Sequence, residues 1–245
     1  MNQEEKVARE WICEVGRRLY LRNFVAANDG NISVRLSDGS ILATPTNVSK
    51  GYMDEEMLVK LNLDGSLIST GSKPSSEIKM HLRVYKENEQ VCGIVHAHPP
   101  VATAFAIAGI QLDQPTSPEA VVNLGVIPIA PYATPGTEDV AHSIAPFCKT
   151  HAAVLLANHG ALTWGRDLTE AHFRMESLEH VANMTMIANF VLGRVNVLSQ
   201  NQVNKLSALR ETMGLIDATM PKGAGHESNL SDFLSLSQLK DEEKK

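Results

Sequence analysis

Apolar residues recur at helical spacing near the N-terminus. Val7, Trp11, Val15 and Leu19, with Ile12 and Leu21 beside them, predict an amphipathic helix over residues 4–24. The period then changes. Asn28-Asp29-Gly30-Asn31 is a turn cluster, and residues 32–36 and 40–44 are short strand-like runs joined by Asp38-Gly39, a strong hairpin signal. A second hairpin is predicted around Asp64-Gly65, linking 58–63 to 66–70. The sheet is therefore at least partly antiparallel, and the early chain is not a doubly wound nucleotide fold.

Further along, Ile78, Leu82 and Tyr85 share one face of a predicted helix, with Ser76 where an N-cap belongs and Glu77 in the first turn. Residues 91–98 read as a buried strand that Pro99-Pro100 ends, followed by an apolar helix over 101–108. Residues 128–137 carry too much proline and glycine for regular structure throughout. A helix is expected over 138–149 and a buried strand over 152–158, which His159-Gly160 turns into 161–164. The longest helix is expected over 168–192, and another runs from 199 to about 220. With no repeat and no linker, residues 1–220 are expected to form one domain, and the polar residues 221–245 a mobile tail.

Composition narrows the function. A net charge of -6, with no basic stripe, argues against nucleic acid as a partner, because phosphate backbones demand clustered cations. No apolar run approaches the roughly 20 residues that span a bilayer, so no membrane partner is expected. The N-terminal MNQEEKVARE is too charged for a signal peptide, and Cys13, Cys92 and Cys148 lack CxxC spacing. A cytoplasmic protein without disulfides is the expectation.

The chemistry centres on His96-Ala97-His98. On a strand, alternate side chains share a face, so the two imidazoles project together about 6.5 Å apart along the backbone. On a helix they would diverge by roughly 200°. Nitrogen ligands so placed suit zinc. His159 ends another strand just before a glycine; alone, a turn histidine is a weak signal. Glu77 is the candidate acid/base, although from the residues alone a first-turn glutamate favoured by the helix dipole is the safer reading. Ser75 and Ser76 supply hydroxyls and N–H groups at a helix start, and Gly30-Asn31 and Thr46-Asn47 are polar turns able to complete a phosphate pocket. Each of these has a capping or turn explanation of its own. Gly65…Gly71-Ser72-Lys73 lacks P-loop spacing, and Pro74 spoils it. His172, Glu176 and His180, spaced i, i+4, i+8, are a rival metal stripe, more readily explained as a polar or subunit-facing one.

Gly30-Asn31-Ile32-Ser33, Lys73-Pro74-Ser75-Ser76-Glu77, His96-Ala97-His98, residues 131–137 and Asn158-His159-Gly160 occur in that arrangement along the chain. Together they resemble the class II aldolase/adducin family over roughly residues 5–215. The resemblance implies a three-layer α/β/α fold around a mainly antiparallel sheet, and a homotetramer with active sites at subunit interfaces. It implies a divalent ion, Zn2+ or else Mn2+ or Co2+, on His96, His98 and His159, with Glu77 as fourth ligand or acid/base. Gly30, Asn31, Thr46, Asn47, Ser75 and Ser76 would receive a sugar phosphate. The implied activity is cleavage of a ketose 1-phosphate of the L-fuculose-1-phosphate type to dihydroxyacetone phosphate and an aldehyde, through a zinc-stabilised enediolate. The alternatives are 4-epimerisation, dehydration or decarboxylation on the same scaffold, or a non-catalytic adducin-like structural role. The family's tyrosine acids have no counterpart here: Ser117 falls at one position, and Tyr132 is the last tyrosine in the chain. Glu119 is the candidate replacement.

Overall fold

The first strand run and the His-x-His run lie side by side in the centre of one seven-stranded sheet. The computed structural model describes residues 2–69, 71–215 and 218–224. The strands are β1 (Asn31–Arg35), β2 (Ile41–Ala43), β3 (Val59–Leu61), β4 (Gly93–Ala97), β5 (Ile129–Ala130), β6 (Ala153–Leu156) and β7 (Gly160–Gly165). Their spatial order is β3-β2-β1-β4-β7-β6-β5. Every pairing is antiparallel except β5 with β6.

Helices cover both faces. The helices are α1 (Gln3–Leu21), α2 (Ile78–Glu87), α3 (Pro100–Ala108), α4 (Glu138–Ile144), α5 (Leu168–Met186) and α6 (Gln200–Thr212). One core joins Ile32, Leu42, Val95, Ala97 and Leu155 to Ile12, Val15 and Leu19 of α1, Phe105 of α3 and Met175 and Leu178 of α5. The other joins Ile41, Ile94, Leu162 and Trp164 to Met80, Val84 and Tyr85 of α2 and Val140 and Ile144 of α4. The sheet is thus the middle of three layers. Burial of each such aliphatic side chain contributes about 1.5–3 kcal/mol. Because both faces are covered, β4 is buried at every position and reads as an apolar run rather than an alternating one.

Several ends differ from the sequence expectation. Only a single bridge, Leu61 to Leu67, closes the second hairpin, so residues 66–69 are not a strand, and Thr70 lies outside the described residues. The helix predicted over 138–149 stops at Ile144 and tightens into one 3-10 turn at Ala145–Phe147, where Pro146 has no N–H to offer. The long helix leaves α geometry at Ile187, makes one π-type turn to Val191 and ends near Gly193, whose φ is +64°. The last helix ends at Thr212 rather than near 220, with Gly214 at φ +71° just beyond. Residues 221–224 belonged to the expected tail, yet Ala224 N–H donates to Leu198 O at 2.9 Å and Gly223 N–H to Gln200 Oε1 at 2.9 Å. The remainder of that tail, 225–245, lies outside the described residues. No helix among the described residues is long and apolar enough to cross a membrane.

Candidate metal centre

Strand pairing brings the distant motifs together. β1 runs antiparallel to β4 with Asn31 opposite His96, and His96 is opposite Leu162 on β7. The β6–β7 hairpin turns through Asn158 and His159, with Asn158 in the left-handed region at φ +57°, which asparagine tolerates. The start of β7 lies beside the end of β4, so His159 arrives next to His98.

Two glycines permit the approach. Gly30 has φ +73°, and a Cβ there would stand 2.8 Å from His96 O. At Gly160 a Cβ would meet His98 Cδ2 at 2.5 Å. Larger residues at either position would displace the ligand strand.

The ligand atoms of His96, His98 and His159 all lie within 4.8 Å of one another. His96 Nε2 and His98 Nε2 are 3.2 Å apart. Glu77 reaches the same point, with Oε2 3.4 Å from His96 Nε2 and Oε1 3.3 Å from His159 Nε2. His96 is fully buried and its Nδ1 lies 2.9 Å from Ala161 O; a proton there leaves the Nε2 lone pair facing the cluster. His98 Nδ1 stands 3.4 Å from Asp29 Oδ2, a second carboxylate–histidine pairing. Asn31 Nδ2 donates to Glu77 Oε2 at 2.8 Å, while buried Glu77 Oε1 has no hydrogen-bond donor among the described residues. Imidazole nitrogens facing one another, beside an unsatisfied carboxylate oxygen, suit a shared divalent cation.

Electrostatics agree. Burial by itself raises the Glu77 pKa, but the nearby His96 and His159 and the Asn31 hydrogen bond outweigh it and hold the carboxyl well below the usual range. His96 shifts the other way from its burial, upward, because Glu77 faces it. His98 and His159 are lowered to about 4 by burial and by His96, which leaves both imidazoles neutral at pH 7, the form a metal ion requires.

Beside the triad lies a cavity of about 250 Å³ lined by Gly30, Thr46, Asn47, Ser75, Ser76, Glu77, His98 and His159, with Asn28, Asp29, Pro45, Lys50 and Pro135. Five of the six expected phosphate residues therefore face one space. The sixth, Asn31, is buried behind it and donates to Ser75 Oγ at 3.4 Å. Glu77, not Ser76, occupies the cap position of α2, and its carboxylate turns to the histidines instead of capping the helix. Glu119 is exposed at the start of a π-type turn, Ala120–Leu124, and does not line this cavity. A larger cleft of about 530 Å³ lies away from the triad, lined by Arg166, Glu170 and Phe173 among others.

Sequence reasoning missed Asp29 and Lys50. Asp29 was legible only as a turn residue. Lys50 gives no outward signal, sitting in the polar run Val48-Ser49-Lys50-Gly51; it is 2% exposed, and burial lowers its pKa to about 8 against the opposing pull of Asp29 and Glu77. The rival stripe on α5 does not converge. His172 is fully buried with Nε2 3.4 Å from Glu176 Oε1, Glu176 pairs with Arg22 Nε at 2.7 Å, and His180 is exposed.

Among known proteins, the chain is 34% identical over 209 residues to a 3-oxo-tetronate 4-phosphate decarboxylase of Pectobacterium atrosepticum, covering 83% of this chain and 94% of the relative. It is 34% identical over 177 residues to an L-fuculose phosphate aldolase of Methanococcus maripaludis, covering 72% and 94%. Of solved structures, YgbL from Klebsiella pneumoniae superposes with a TM-score of 0.77 at 32% identity, over 84% of this chain and 100% of that one. L-fuculose-1-phosphate aldolase from Thermus thermophilus gives 0.69 at 30%, over 76% and 96%. With residues 10–186 matching the model of the Class II Aldolase and Adducin N-terminal domain, the chain belongs to the class II aldolase and adducin family.

Proposed function

We propose that this protein is a divalent-metal-dependent decarboxylase of a 3-oxo sugar-acid phosphate of the 3-oxo-tetronate 4-phosphate kind. The observation that carries this reading is the shortage of acids and bases. Among the described residues, Glu77 is the one acid/base carboxylate within reach of the histidines besides Asp29, which faces His98, and no tyrosine lines the cavity. Aldol cleavage and decarboxylation leave the same electron pair on the carbon beside a ketone, and both yield dihydroxyacetone phosphate. They differ in the departing group. An aldehyde leaves only if a base removes its hydroxyl proton, whereas carbon dioxide leaves without giving up a proton. Decarboxylation therefore needs one proton delivered to carbon, and Glu77, beside the histidines, is placed to carry it from solvent. The balance is one carboxylate and one proton consumed, and one carbon dioxide and one C–H bond formed.

A cation held by His96, His98 and His159, with zinc the first choice for a tri-imidazole set, would supply an electrophile that stabilises negative charge on the ketone oxygen. The phosphate sits against Gly30, Thr46, Asn47, Ser75 and Ser76, whose hydroxyl and N–H groups suit a tetrahedral anion. Asn31 holds Glu77 in place. Residues 1–220 act as one unit, the protein is cytoplasmic, and its working form is a homotetramer with sites at subunit interfaces, where a neighbouring copy can bring Glu119 to the cavity rim.

Incubation of the zinc-loaded protein with 3-oxo-tetronate 4-phosphate and with L-fuculose 1-phosphate tests the reading. Metal-dependent carbon dioxide release from the first is expected. Aldehyde release from the second, without carbon dioxide from the first, would favour the aldolase reading, which the likeness to fuculose phosphate aldolases supports. Inability to retain any divalent ion would instead point to a scaffold.

A further inference from the structure

The cavity that receives the phosphate contains two carboxylates, Asp29 and Glu77, and a single lysine or arginine, Lys50. Lys50 is the one buried lysine among the described residues. Its Nζ donates to Asn28 O at 2.8 Å and to Val48 O at 2.6 Å. Those carbonyls belong to the two turns that carry Gly30 and Asn47, so one ammonium ties both sides of the cavity together. The residue is held there by α1: Gly16 packs so closely on the turn that a Cβ would stand 2.7 Å from Lys50 O. Two carbonyls use two of the three ammonium protons.

We propose that Lys50 is the phosphate-binding cation of this site, aiming its third N–H and its charge at the substrate's phosphate while fixing the two turns that surround it. This rests on the reading of the cavity as a sugar-phosphate site. The physical need is plain. A phosphate dianion entering a cavity that already holds two carboxylates meets repulsion that hydroxyls and amides do not offset, and Lys50 is the one lysine or arginine lining that cavity. A compact ammonium fits a point-charge role in this narrow turn better than the broad guanidinium fork.

The test compares zinc-loaded wild type with Lys50→Gln, which keeps a hydrogen-bond donor and removes the charge. Inorganic phosphate is titrated by calorimetry, and turnover of 3-oxo-tetronate 4-phosphate is measured in parallel. The substitution should weaken phosphate by about tenfold or more and raise KM similarly, with kcat changed less than about threefold, as expected for losing a charged hydrogen bond to the ligand. A folded Lys50→Gln protein that binds phosphate within about threefold of wild type overturns the assignment. If the variant does not fold, wild type labelled with 15N-lysine decides: the one buried Nζ resonance must move when phosphate is added, and a resonance unmoved at saturation overturns the proposal. Wild type that binds phosphate through Lys50 but turns over no sugar phosphate would remove the reaction and leave this residue's role intact. Phosphate binding indifferent to Lys50 does the reverse.

Discussion

Among the described residues, two regions hold buried histidine beside glutamate, and only one gathers ligand atoms that could hold a metal ion. On α5, His172 and Glu176 sit one turn apart, and the glutamate is already satisfied by Arg22. Among the described residues no third ligand joins them, since His180 stays exposed one turn further on. Around β4, by contrast, His96, His98 and His159 come from a strand and a remote hairpin, and Glu77 from the start of a helix on the same side of the sheet. An open cavity adjoins that cluster. Helical spacing delivers side chains along a stripe, whereas strand ends deliver them to a point. Convergence with space beside it, rather than residue type, separates the two.

The largest effect expected from breaking this contrast is at the ligands. His159→Ala should abolish metal retention under dialysis and turnover with it, whereas His172→Ala should leave metal content at the wild-type level; equal metal loss in both would erase the distinction. Next, Glu77→Gln should keep the metal and the fold but lower kcat by about 10²–10⁴, the usual worth of a positioned proton carrier. Asp29→Asn tests the partner of His98 and should weaken metal affinity by about 10–100-fold in a competition titration. His172→Ala should instead show its effect in chemical denaturation, losing about 2 kcal/mol or more for the cavity left in a fully buried site.

A further effect is in pH dependence. His81 lies on the buried face of α2 with Nδ1 2.7 Å from Ser33 Oγ, which in turn contacts Tyr85 OH at 2.9 Å. Burial and the nearby His96 lower its pKa to about 3. The unfolded chain therefore binds this proton near pH 6.5 and the folded one does not, so stability falls as pH drops from about 6.5 towards 3. His96, shifted upward by Glu77, acts in the opposite direction. Comparison of His81→Gln with wild type isolates the first contribution: the variant should show a shallower loss of stability between about pH 6.5 and 4, by up to about 1.4 kcal/mol per unit. Identical slopes would show that His81 does not hold its proton state in the fold.

The ligand pair was legible because a β-strand has a period of two, and His96-Ala97-His98 in an apolar run could project only one way. His159 was not legible on its own terms. Its place depends on β7 pairing with β4, a contact across 65 residues seen in the Ala161–His96 hydrogen bond. Glu77 read as an ordinary first-turn glutamate, and the cap was assigned to Ser76; the chain instead places Glu77 at the cap and turns its carboxylate onto the histidines. Helix ends ran long at 149 and 220 because periodicity continues through residues where Pro146 and Gly214 stop the backbone, whereas the end at 192 was placed correctly and only the π-type last turn was not foreseen.

By itself, then, the amino-acid order determined the local pieces: the hairpin at Asp38-Gly39, the buried His-x-His strand, the amphipathic first helix and the family's motifs in sequence. Those follow from dihedral preference and side-chain periodicity, which act over a few residues. Only the tertiary structure decided that Asp29 faces His98, that Lys50 is buried between two turns and that the α5 stripe remains apart from the cavity. Each depends on which distant segment packs against it, and the cost of burying a charge is set by those neighbours, not by the residues on either side in the chain.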